Sequence, residues 1–127
     1  MIFNKKYKIV YVEDDTDMVH LMRVILEQNH FIVYTAKDGQ DGLSLISQVE
    51  PDLILLDLMM PDLDGWEIFQ RIRNIDSFKK TPVIIVTAKS QEIDKVLGLR
   101  IAKVDDYICK PFHPKDLVER INDVLAG

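Results

Sequence analysis

A chain of 127 residues, 47% hydrophobic and 29% charged, has the size and composition of one globular domain and not of a disordered or multi-domain protein. Sixteen Lys and Arg against twenty-one Asp and Glu give a net charge of -5, a poor electrostatic match to a nucleic-acid backbone or an anionic membrane, so neither direct nucleic-acid binding nor membrane attachment is expected. A single cysteine and three scattered histidines supply neither a disulfide framework nor a zinc-ligand pattern, which leaves the apolar core to hold the fold.

No uncharged apolar stretch approaches the ~18 residues of a membrane span, and Met1 to Lys6 lacks the long apolar segment of a secretory signal. The expected location is the cytoplasm. From the N-terminus, the first strand is expected at Lys8 to Glu13, followed by a helix that aligns Met18, Leu21, Met22, Ile25 and Leu26 at i, i+3, i+4, i+7 spacing. A second strand is expected at Phe31 to Ala36, with a helix carrying Leu43, Ile46 and Val49 after it. The third strand, Leu53 to Asp57, leads to a helix with Phe69 and Ile72, and the fourth, Val83 to Thr87, to one with Ile93, Val96, Leu97 and Ile101. The fifth strand, Asp106 to Cys109, precedes a last helix on which Leu117, Ile121, Val124 and Leu125 share a face.

Strands alternating with helices imply an α/β domain, a parallel sheet with helical crossovers. The third and fourth strands read as continuous Leu, Ile and Val, as buried parallel strands do, and are expected at the centre. No Pro/Gly/Ser-rich stretch or repeat interrupts the pattern, so residues 1–127 read as one domain without an effector domain. Cys109, on an inner strand, reads as a small apolar core residue, and Trp66 as packing near the start of the third helix.

Open parallel sheets bind ligands beyond the carboxyl ends of their strands. Glu13 and Asp14 fall at the end of the first strand, Asp57 at the end of the third, Thr87 at the end of the fourth, and Lys110 just after the fifth. Taken singly, each has an ordinary explanation: Asp57 as a turn or helix cap, Lys110 as a solvated side chain, Thr87 as a β-branched strand residue. Delivery of all five to one edge argues for a site.

Three carboxylates gathered in one crevice repel one another, and a hard divalent cation with oxygen ligands, magnesium above all, relieves that repulsion. Magnesium keeps waters and accepts a phosphate oxygen, so such a site leaves room for a phosphoryl group. Lys110 offers a point positive charge to it, and Thr87 a hydroxyl donor. A carboxylate beside a metal and a lysine is an arrangement suited to forming an aspartyl-phosphate, with Asp57 as nucleophile.

The sequence resembles the receiver domain of bacterial two-component response regulators through Lys8-Ile9-Val10-Tyr11-Val12-Glu13-Asp14-Asp15, through Leu55-Leu56-Asp57-Leu58-Met59-Met60-Pro61-Asp62-Leu63-Asp64-Gly65, through Thr87-Ala88 and through Lys110-Pro111-Phe112. The resemblance spans essentially the whole chain. It implies a flavodoxin-like (βα)5 sandwich with a five-stranded parallel sheet in the order 2-1-3-4-5. It further implies that a sensor histidine kinase or phosphotransfer protein phosphorylates Asp57. Mg2+ would be held by Glu13, Asp14, Asp57 and the backbone carbonyl of Met59. Thr87 and Lys110 would contact the phosphoryl group, while Thr87 and Tyr107 would act as the switch that reshapes the surface of helix 4, strand 5 and helix 5. Lys110-Pro111 matches a step that is usually a cis peptide in the family.

The run from Lys110 to Ile121 looks most like receivers of winged-helix transcription regulators, which dimerise through the helix 4/strand 5/helix 5 face. Asp106 and Arg120 match one pair of that interface, whereas Val96 and Gly127 stand where two others would need basic residues. Lys103-Val104 replaces the usual Gly-Ala before Asp105-Asp106, leaving the end of the fourth helix open, because glycine there would take a left-handed conformation readily.

Three rivals are weaker. A phosphatase of the haloacid-dehalogenase type wants a second aspartate where Met59 stands, and a flavin-binding module would have to bring a phosphate to Glu13-Asp14-Asp15. A receiver-like interaction module independent of phosphate is the remaining alternative, against which stand five competent site residues. The expected activity is therefore a switch that catalyses only its own phosphorylation and dephosphorylation.

Overall fold

The computed structural model describes residues 5–89 and 91–127; the reading of Met1 to Lys6 falls partly outside them. Five strands, β1 (Lys8–Val12), β2 (Ile32–Ala36), β3 (Leu53–Leu56), β4 (Val83–Thr87) and β5 (Asp106–Cys109), form one parallel sheet in the order β2-β1-β3-β4-β5. The helices are α1 (Thr16–Gln28), α2 (Gly39–Val49), α3 (Gly65–Asn74), α4 (Glu92–Val96) and α5 (Pro114–Ala126). This is the flavodoxin-like arrangement, with β3 in the middle and β4 beside it as their uninterrupted apolar sequences require.

Alternation along the strands sends side chains to two cores. Ile9, Tyr11, Leu53, Leu55, Ile84 and Val86 meet Met22, Ile25 and Leu26 of α1 and Leu117 and Ile121 of α5. On the other face Val10, Val12, Ile54, Leu56 and Ile85 meet Ile46 of α2 and Ile68, Phe69 and Ile72 of α3. Each fully buried Leu or Ile contributes ~1.5–3 kcal/mol, and the sheet supplies them on both sides.

Acidic residues start three of the helices. The side chains of Asp15, Asp38 and Asp64 each accept backbone N–H bonds from the first turn that follows them, satisfying donors the helix cannot pair internally. α5 begins with His113, whose Nδ1 accepts from the Lys115 amide, and with Pro114 in the first helical turn, where a missing N–H costs nothing.

Several boundaries and faces differ from the expectation. β1 and β3 stop one residue early, at Val12 and Leu56, so Glu13 and Asp57 lie just beyond the ladder although their amides still donate to Ala36 and Val12 carbonyls. Phe31 lies outside β2 because its amide turns back to the Leu26 carbonyl at the end of α1. Leu21 is 47% exposed, since the buried stripe of α1 runs through Met22, Ile25 and Leu26, about 100° around the helix. Cys109 is half-buried at the margin of the core.

The larger departure is the fourth helix. Ile93 and Ile101, two of the apolar residues that suggest this helix, are 59% and 71% exposed, and Val96 and Leu97 are exposed as well. After five residues α4 continues as a π-helical turn, Leu97–Ala102, whose wider winding breaks the i, i+3, i+4 register. Gly98 alone is buried in that turn. The turn ends at Lys103, which takes the left-handed conformation itself, with φ 61°, at a steric cost of ~1–2 kcal/mol that glycine would avoid.

Candidate phosphoacceptor site

The carboxyl edge of the sheet brings together the residues that the sequence placed at strand ends. Glu13 follows β1, Asp57 follows β3, Thr87 ends β4 and Lys110 follows β5. Glu13 and Asp57 are 1% and 4% exposed, Thr87 is fully buried, and Asp14 is exposed. Each of Glu13, Asp14 and Asp57 offers a carboxylate oxygen, and these oxygens lie within 4.8 Å of one another. Hard oxygen donors at that spacing, two of them buried, suit Mg2+.

Lys110 bridges the two buried carboxylates. Its Nζ donates to Glu13 Oε1 and, at 2.9 Å, to Asp57 Oδ2. The other Asp57 oxygen, Oδ1, accepts from the Met59 amide at 3.0 Å, which places the Met59 backbone against the site while its side chain is exposed. Thr87 Oγ1 accepts a long bond of 3.4 Å from the Lys89 amide. The Lys110-Pro111 peptide is cis, as the resemblance implies.

The electrostatics separate the two buried acids. Burial pushes the Glu13 carboxyl above the usual range, and the bond from Lys110 recovers only part of that rise. Burial pushes Asp57 the same way, yet the Met59 amide, Lys110 and the Thr87 hydroxyl outweigh it and hold Asp57 below the usual range. The direction favours the ionised form of the Asp57 carboxyl. For Lys110, burial favours the neutral amine, but Glu13 and Asp57 reverse this and raise its pKa.

Tyr107 is buried and turned inward, with its hydroxyl donating to the Lys89 carbonyl at 2.6 Å, two residues beyond Thr87. Its phenol is pushed up to about 12 by burial and by Asp94. Asp106 and Arg120 pair within the chain at 3.3 Å, and Arg120 also contacts Asp116 at 3.3 Å. Trp66 packs edge-on to Phe69, in the packing role expected of it.

Two contributors to the site escaped sequence reasoning. Tyr11 lies fully buried two residues before Glu13, on the same face of the chain, and its hydroxyl donates to Glu13 Oε1 at 2.8 Å. A hydroxyl inside an apolar strand, at i−2 from a carboxylate, was the available signal. Gly65 is the other: a β-carbon there would stand 2.4 Å from Leu58 Cα and 2.9 Å from the Asp57 carbonyl oxygen, so only glycine lets α3 start against the loop that follows β3.

A family model described as the response regulator receiver domain matches residues 9–122. The receiver domain of Francisella response regulator 1452 superposes with a TM-score of 0.87 at 32% identity, over 95% of this chain and 98% of that one. A CheY-like receiver domain protein from Methanospirillum hungatei gives 0.86 at 30% identity, over 96% and 95%. The BeF3-activated receiver domain of Klebsiella pneumoniae RstA gives 0.86 at 29% identity, over 94% and 99%. Among the described residues, no helix is long and apolar enough to cross a membrane.

Proposed function

The chain belongs to the response regulator receiver domain family of two-component systems, and on that premise we propose that Asp57 accepts a phosphoryl group from a sensor histidine kinase or phosphotransfer protein in a magnesium-dependent reaction. The observation that carries the reading is the bridge of Lys110 between Glu13 and Asp57, with the Asp14 carboxylate alongside. It gathers a nucleophile, a cation-binding acid pair and a phosphate-binding cation at one sheet edge.

In this reading an Asp57 carboxylate oxygen forms a new O–P bond while the P–N bond of the donor phosphohistidine breaks, the electron pair returning to the imidazole nitrogen. Lys110 exchanges its bond to Asp57 for one to a phosphoryl oxygen, and the Thr87 hydroxyl donates to another. Glu13, Asp14, Asp57 and the Met59 carbonyl would hold Mg2+, which when bound neutralises charge on the transferred group. Hydrolysis of the acyl phosphate resets the domain, and no external substrate is turned over.

The signal would leave through Thr87 and Tyr107. Because the Tyr107 hydroxyl is tied to the Lys89 carbonyl, a movement of Thr87 toward the phosphoryl group pulls on the ring through two residues. The surface of α4, β5 and α5 changes with it. A homodimer through that face would use Asp106 and Arg120, exchanging their pairing within one chain for pairing across two.

The test is incubation with acetyl phosphate and Mg2+ followed at once by intact mass. A gain of one phosphoryl group, abolished by Asp57→Asn and by a chelator, is the expected result. No gain in native protein that binds Mg2+ would favour a phosphate-independent interaction module instead.

A further inference from the structure

We propose that Tyr11 is a positioning residue for the cation site, aligning Glu13 so that its second carboxylate oxygen faces the metal. The inference rests on the magnesium reading above and deepens it. Tyr11 and Glu13 sit two residues apart at the end of β1, both effectively out of water. The Tyr11 hydroxyl donates to Glu13 Oε1 at 2.8 Å, and Lys110 donates to the same oxygen.

Two donors on one oxygen fix the rotation of the carboxylate. The remaining oxygen, Oε2, accepts only a 3.3 Å bond from the Asp15 amide, so it is the one left for a cation. The two donors are not equivalent. Lys110 also serves Asp57 and, in the phosphoryl-transfer reading, must move to the phosphoryl group. Tyr11 has no such second duty: it is fully buried in the core cluster that includes Ile9, Leu53 and Leu55. When Lys110 leaves, the tyrosine hydroxyl keeps Glu13 in place, and the acid does not swing toward the space that the lysine vacated. A hydrogen-bond donor that orients a metal-binding carboxylate typically accounts for about 10–100-fold in metal affinity.

The experiment is a titration with Mg2+ alone, followed by Trp66 fluorescence and calorimetry, on native protein and Tyr11→Phe, which keeps the ring and removes one oxygen atom. Phosphorylation by acetyl phosphate is then measured across Mg2+ concentration. The expected result is about a tenfold weaker Mg2+ affinity in the variant, with the phosphorylation rate at saturating Mg2+ changed less than twofold. A purely structural tyrosine would lower the thermal midpoint and leave the Mg2+ affinity unchanged, and that outcome overturns the proposal. Native protein that binds no Mg2+ overturns both this inference and the reading it rests on; native binding with an unaltered variant overturns the inference alone. Should Tyr11→Phe fail to fold, the hydroxyl proton of Tyr11 in native protein, buried and bonded to Glu13, serves instead. Its resonance is expected to shift on addition of Mg2+, and an unmoved resonance overturns the proposal.

Discussion

Lys110 Nζ stands 2.9 Å from Asp57 Oδ2 in a crevice where the two side chains are 15% and 6% exposed. With Glu13 on the same ammonium, one cation balances two buried acids. Removing one member of such a group leaves an uncompensated charge, at a cost of about 3 kcal/mol. Lys110→Met is therefore expected to lose about 2–3 kcal/mol in chelator and to regain part of it in Mg2+, read by urea denaturation. Equal stability of the two proteins in chelator would show that the bridge holds nothing together.

Gly65 lies close against the Leu58 backbone beside the site. A methyl group at Gly65 meets backbone atoms that no rotamer change can move, so Gly65→Ala is expected to destabilise the fold by about 2–3 kcal/mol. Because the displaced atoms belong to Asp57 and Leu58, the phosphorylation rate should fall with it. A variant of native stability and rate would mean that α3 can retreat at no cost.

Tyr107 and Gly98 form a second close pair. A β-carbon at Gly98 would lie 2.8 Å from Tyr107 Cδ2 and 3.3 Å from Trp66 Cη2. Gly98→Ala should push the tyrosine ring toward solvent and change the Trp66 emission. Tyr107→Phe removes only the bond to the Lys89 carbonyl and should cost about 1 kcal/mol with the emission close to native. Identical spectra for Gly98→Ala and native protein would exclude the contact.

Asp52 provides a pH-dependent test away from the site. Its burial favours the neutral acid, but the Lys8 amide at 2.8 Å and the Lys5 ammonium at 3.0 Å outweigh it and hold the carboxyl below its usual range. A carboxyl with its pKa lowered by folding stabilises the protein above the unfolded-chain value, about 3.9, and loses that contribution as pH falls through the folded value. Lys5 is largely exposed, so most of the effect comes from the amide. Asp52→Asn should thus be less stable than native protein by about 1 kcal/mol at neutral pH, with the gap closing below about pH 4 in pH-dependent urea melts. A gap that persists at pH 2 would assign the loss to packing.

The convergence of Glu13, Asp14, Asp57, Thr87 and Lys110 was legible because parallel strands project whatever follows them to one edge, so position in the chain translates directly into position in space. Strand order and central placement followed from the resemblance and from uninterrupted apolar runs such as Leu53 to Leu56. The fourth helix was legible only in part, for a physical reason. Periodicity reports a face only where the winding is regular, and in the π-helical turn at Leu97–Ala102 the one buried residue, Gly98, seats against Tyr107, a contact between residues on different elements. Leu21 shows the same limit on a smaller scale, one apolar residue too many for the stripe that α1 buries.

By itself, then, the sequence determined the alternation of five strands and five helices and the set of groups that meet beyond the sheet, since both depend on local pattern and on chain direction. Only the tertiary structure decided which donors share which oxygens and which backbones touch: that Lys110 joins Glu13 to Asp57, that Tyr11 takes the same Glu13 oxygen, and that Gly65 lets α3 close on the loop after β3. Those choices depend on distances of a few tenths of an ångström between segments far apart in the chain, and hydrophobic patterning carries no information at that scale.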